Sequence, residues 1–121
     1  MEIKYLHPSP QIVVAELTDE NFIISQPQDV LDLFGELMST DCDRMIIHER
    51  NLDSAFFDLK TRLAGEVLQK FSNYRVKVAI VGDFSKYNSK SLHEFILESN
   101  KSKMVFFTDN INSALQRLEN Q

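Results

Sequence analysis

The chain has 121 residues, 43% hydrophobic and 26% charged, with a formal net charge of −5. This balance excludes disordered, collagen-like and membrane-spanning compositions, and the length suits one domain, residues 1–121, with a single core that needs no disulfide or metal staple. An acidic balance without any Lys/Arg-rich run argues against nucleic acid held through its phosphates.

The longest apolar runs, such as Val78–Val81 and Met104–Phe107, are far shorter than the roughly 20 residues a bilayer requires, so no membrane association is expected. Met1–Pro8 lacks the basic and apolar regions of a secretory leader. Cys42 is the single cysteine, which fits a reducing compartment. A cytoplasmic protein is therefore expected, with Cys42 as a small semi-buried residue. Residues 1–58 hold 12 acids and 3 bases, and residues 59–121 hold 6 acids and 10 bases. This asymmetry reads as two halves of one fold facing each other.

Along the chain, Gln11–Leu17 is β-branched and reads as a strand, with Phe22–Ile24 as its hairpin partner. Ser25 and Gln28 have capping-box spacing ahead of Val30, Leu31, Phe34, Leu37 and Met38, which recur at helical intervals. Arg44–Glu49 reads as a buried strand. Leu59, Leu63, Val67 and Phe71, supported by Phe56, Ala64 and Leu68, predict the longest helix. Val76–Val81 is almost continuously apolar, the pattern of a strand covered on both faces and the candidate for the sheet's centre. Ser91 and Glu94 suggest a second capping box for a short helix through Leu92, Phe95 and Ile96. Met104–Phe107 is a last strand, and Asp109 or Asn110 caps a last helix carrying Ile111, Ala114, Leu115 and Leu118. The order is β(β)αβαβαβα. It predicts an α/β fold with about four helices on a mixed sheet of four or five strands, parallel except at an N-terminal antiparallel edge.

Ligand sites in open α/β sheets form beyond the carboxyl ends of parallel strands. His48, Arg50, Asn51, Asp83, Lys86 and Thr108 fall there and would have to gather in one pocket to bind a small molecule or catalyse. No nucleophile stands at a recognisable spacing from a base. Gly35, Gly65 and Gly82 are too far apart for a phosphate loop. His7, His48 and His93 lie in three separate elements, so neither metal nor cofactor is expected. Asp29 with Asp32, and Glu94 with Glu98, read as solvent-facing helix carboxylates. Gly65, inside the long helical pattern, reads first as tight helix-on-sheet packing and otherwise as a contact surface for a partner.

The segment Phe56–Arg75, FFDLKTRLAGEVLQKFSNYR, continuing into Val78–Tyr87, resembles a bacterial family known only as a domain of unknown function, over nearly the whole chain. More distantly, the element order and the loop-to-helix segment are similar to STAS-like domains, the fold of anti-sigma-factor antagonists and of the cytoplasmic ends of sulfate transporters. Those antagonists carry an Asp-Ser-x-Gly type motif at a helix start, where phosphorylation of the hydroxyl breaks a protein contact. The corresponding stretch here is Asp58 to Gly65, with Thr61 as the hydroxyl. It keeps an acid, a hydroxyl and a glycine but not their adjacency. If Asp58 caps the helix, Thr61 lies in its first turn; if the helix begins near Ser54, Thr61 is an ordinary surface residue. The absence of catalytic, phosphate and metal signatures, strengthened by the resemblance, leads to the expectation of a non-enzymatic module that binds another protein or itself through Asp58, Thr61, Gly65, Gly82 and Asp83.

Overall fold

Two β-branched runs, Ile3–Ser9 (β1) and Ile12–Leu17 (β2), pair antiparallel with Ile3 opposite Leu17 and Tyr5 opposite Ala15. They form the edge of a five-stranded sheet in a computed structural model that describes residues 1–120. The remaining strands, Arg44–His48 (β3), Lys77–Val81 (β4) and Val105–Thr108 (β5), follow in spatial order β1-β2-β3-β4-β5, and the β2–β3, β3–β4 and β4–β5 pairings are all parallel. The hairpin partner of β2 thus precedes it. Phe22–Ile24 is not that partner: Ile24 makes only one parallel bridge, to Leu52.

Four helices complete the fold: Asp29–Leu37 (α1), Leu63–Asn73 (α2), Lys90–Lys101 (α3) and Ile111–Glu119 (α4). The three parallel crossovers all step the same way across the sheet, and their fixed handedness returns α1, α2 and α3 to one face. On that face Leu17, Met45, Ile47, Ile80 and Phe107 bury against Leu33, Phe34, Val67, Phe71 and Leu92. After β5 the chain crosses to the other face, where Ala114 and Leu118 of α4 cover Val14, Ile46, Ala79 and Phe106. Val78, Ala79 and Ile80 are all buried, as the continuous apolar run predicts. The middle strand is β3, however, because the N-terminal hairpin adds two strands on its far side.

Helix starts differ from the capping-box reading. Ser25 and Gln26 donate their amides to Asp29 Oδ2, so Asp29, not Ser25, organises the entry to α1. Burial raises the Asp29 carboxyl, but these hydrogen bonds and that of the Ser25 hydroxyl outweigh it and leave it below the usual aspartate value. The N-cap of α3 is Ser89, which accepts from the Leu92 amide, rather than Ser91. Asn110 caps α4 as anticipated, accepting from Ser113. Before α2 the helical spacing at Phe56 and Leu59 belongs instead to two 3-10 turns, Ser54–Phe57 and Leu59–Thr61. Their period of about three residues keeps Phe56 on the core while delaying α2 to Leu63.

The end of α2 is a Schellman motif without its glycine. Val76 N–H bonds Phe71 O and Arg75 N–H bonds Ser72 O, with Arg75 left-handed at φ 57°. A left-handed residue carrying a Cβ costs about 1–2 kcal/mol. Arg75→Gly is therefore expected to raise stability by about 1 kcal/mol in urea unfolding; an unchanged midpoint would refute this.

Candidate functional site

The carboxyl edge of the sheet is organised by one carboxylate. Glu49 leaves the end of β3 in a 3-10 turn, Glu49–Asn51. Its Oε2 accepts from Tyr87 OH at 2.5 Å and lies 2.7 Å from Lys86 Nζ, and its Oε1 accepts from Asp83 N–H at 3.2 Å. These bonds lash the loop between β4 and α3 to the end of β3. Burial pushes the Glu49 carboxyl up, yet the bonds from Lys86, Tyr87 and the Asp83 amide hold it below the ordinary glutamate value. Burial, the bond to Glu49, and the charges of Glu49 and Asp83 drive the Tyr87 hydroxyl far above the usual tyrosine range. Gly82 is needed for this close approach, since a Cβ there would meet Glu49 Cβ at 2.6 Å. Asp83 is held below its usual value by the Ser85 hydroxyl and amide.

Of the six residues expected to gather in one pocket, the structure brings only two to a common cleft, Asp83 and Thr108. His48 Nε2 lies 2.7 Å from Glu16 Oε2. Both residues share the α4 face with Ile46, Glu16 as its register partner on β2 and His48 two residues along β3. Arg50 is exposed, and Lys86 is spent on Glu49. Asn51 is wholly buried: its Nδ2 donates to Asp19 O and Phe22 O, and its Oδ1 accepts from His48 N–H. It is a brace for the loop after β2 rather than a ligand group. Cys42 is buried, with its thiol donating to Val13 O and Arg44 O. Among the described residues no group of three or more His, Cys, Asp or Glu side chains is placed to hold a metal ion.

Around Asp58, the backbone takes neither of the forms left open by sequence. Asp58 caps the Leu59–Thr61 turn by accepting from Lys60 N–H. Thr61 then stands just before α2: its hydroxyl donates toward Ala55 O and Asp58 O at 2.6 and 2.8 Å and accepts from the Leu63 amide. Phe57 stacks on Tyr87 at 4.6 Å between centroids, which joins these turns to the loop carrying Gly82 and Asp83. Gly65 does not serve tight packing. It is exposed, and a Cβ there would have nothing within 4 Å.

The sheet's one divergence lies between β4, followed by α3 on one face, and β5, followed by α4 on the other. There a cleft of about 620 Å³ opens, lined by Asp83, Ser85, Thr108, Asp109, Gln116 and Arg117. Sequence reasoning reached its strand ends but missed Gln116 and Arg117, because these lie inside α4 and face the cleft only through the helix's return over the sheet. Glu49 and Tyr87 lie in the strand-end segments, but their contact escapes sequence reasoning for a similar reason: they are 38 positions apart. In comparisons with known proteins, residues 10–118 match the model of a domain of unknown function (DUF4180). No curated protein and no solved structure matches the chain.

Proposed function

Because the chain belongs to the DUF4180 family, whose description carries no activity, we propose from its geometry that it is a non-enzymatic interaction module. On this reading it is a STAS-like domain of the bacterial cytoplasm that binds another protein or a second copy of itself. The contact surface is the start of α2 around Asp58, Thr61 and Gly65, with the Gly82–Asp83 loop beside it. The observation that carries the proposal is Gly65. A glycine in an exposed helix interior costs about 1 kcal/mol relative to alanine, and nothing inside the molecule requires it. Two grooves flank α2 and meet at Gly65, one lined by Pro27 and Lys70, the other by Leu68, Phe95 and Met104. A partner backbone approaching at Gly65 would account for the missing side chain. Thr61 suits regulation of that contact. A phosphate on its oxygen would take away the proton shared by Ala55 O and Asp58 O and set negative charge at the start of α2.

Two substitutions test the reading. Gly65→Ala is expected to stabilise the isolated protein by about 0.5–1 kcal/mol. Gly65→Arg is expected to remain folded but to lose capture of a partner from native bacterial lysate, or to lose the wild type's self-association in light scattering. Identical partnerless eluates and identical monomer masses for wild type and Gly65→Arg would sink the proposal, and so would a Gly65→Ala variant with no gain in stability.

A further inference from the structure

We propose that the cleft between the β4–α3 loop and α4 is a binding site for a polyhydroxylated small molecule of nucleoside or disaccharide size. This site is independent of the α2 surface. Its position follows from the topology: β4 and β5 are the neighbouring parallel strands whose following segments leave on opposite faces, and in open α/β sheets ligands lodge where connections part in this way. The volume, about 620 Å³, lies in the range of small-molecule sites.

The lining chemistry selects the ligand class. Asp83 and Asp109 each use one oxygen internally, Asp83 Oδ1 for Ser85 and Asp109 Oδ1 for Asn110 Nδ2. Their Oδ2 atoms have no protein partner among the described residues. Gln116 and Arg117, both carrying N–H donors, line the same cleft. A hydroxyl group donates to a carboxylate and accepts from the Gln116 amide, or from the Arg117 N–H groups that its bond to Asn100 O leaves over, so a ligand with several hydroxyls matches this mixed lining. Phe84 and Phe107, edge to face at 5.2 Å, supply an apolar wall for the C–H face of a ring. Anions fit poorly, because two carboxylates line the cleft against one guanidinium, and Arg117 is held in place by its bond to Asn100 O and by lying 4.4 Å over the Phe106 ring. The Ser85 bonds keep Asp83 ionised and therefore purely an acceptor near neutral pH.

The test is titration of the isotopically labelled full chain with adenosine, ribose and maltose, with spermidine as the cationic alternative, followed by amide chemical shifts. The expected result is saturable shifts confined to residues 82–85 and 108–117 with at least one of the three polyols. Asp109→Asn, which keeps the bond to Asn110, should weaken that binding about tenfold, a loss of about 1.4 kcal/mol. Gln116→Ala should weaken it as well, and Glu94→Gln, outside the cleft, should leave it unchanged. No saturable shift with any polyol would overturn the proposal. So would shifts produced by spermidine alone, or binding that survives in both folded cleft variants.

Discussion

Asn51→Leu is expected to cost the fold on the order of 3 kcal/mol, although leucine preserves the volume and adds apolar area. The reason is what the amide holds. Three backbone groups, Asp19 O, Phe22 O and His48 N–H, take their side-chain partner from Asn51, of which Asp19 O keeps a second, longer bond from the Phe22 amide, and the residue is completely buried. A buried polar group left without a partner costs about 1–3 kcal/mol. The Phe22 amide remains bonded to Asp19 O, which lowers the sum below three full penalties. Urea unfolding should show a lower midpoint at an unchanged slope, the mark of lost stability without a change in exposed surface. Asn51→Asp adds a signature in pH. It keeps the acceptor for His48 but points a carboxylate at two carbonyls, so its folded pKa lies above the unfolded value near about 3.9. The variant should then gain stability as pH falls from its folded pKa toward that value. A cost for Asn51→Leu within about 0.5 kcal/mol would place it with ordinary surface changes and refute the brace.

Glu49→Gln has the second largest expected effect, about 2 kcal/mol at neutral pH, because hydrogen bonds to a charged group are worth about 1.5–3 kcal/mol each and the amide retains part of the set. Here the pH dependence is the sharper readout. The folded pKa of Glu49 is depressed, so its contribution is fully present above the unfolded value of about 4.3 and is lost as pH falls through the folded pKa. The gap between wild type and variant should therefore be constant near neutrality and close under acid. Tyr87 works in the opposite direction. Its folded pKa is raised, so its contribution persists below about pH 10 and is lost as pH climbs further. Tyr87→Phe should flatten that alkaline limb. A Glu49→Gln gap that does not change between about pH 3 and 7 would mean that the carboxylate does not hold the loop through its charge.

Much of the architecture is legible in the sequence. The buried run Val76–Val81, the amphipathic spacing of Val30 to Leu37 and the Asn110 cap each depend on neighbours within one turn or one strand, where backbone geometry dictates the pattern. The errors share a cause as well. Phe56 and Leu59 lie at intervals that suit an α-helix and 3-10 turns alike, and only packing of Phe56 beneath the sheet's carboxyl edge separates the two. β1 escaped because His7, Pro8 and Pro10 mask its alternation, and its pairing to β2 supplies the missing signal. Helical periodicity puts Gly65 in a core-facing segment and so suggests packing, whereas the rotation of α2 turns it to solvent.

The sequence by itself determined the type and order of the elements, and hence a mixed α/β sheet, because hydrophobic period and turn chemistry are local properties of the chain. Only the tertiary structure decided which loops share the carboxyl edge and that α4 alone crosses to the far face. It also decided that Glu49 meets Tyr87 while His48 meets Glu16. These pairings depend on strand neighbours and crossover direction, which are set by burial of surfaces far apart in the chain. For that reason His48, Arg50, Asn51 and Lys86 scatter, while Asp83 and Thr108 share a cleft that opens where β4 and β5 send their helices to opposite faces.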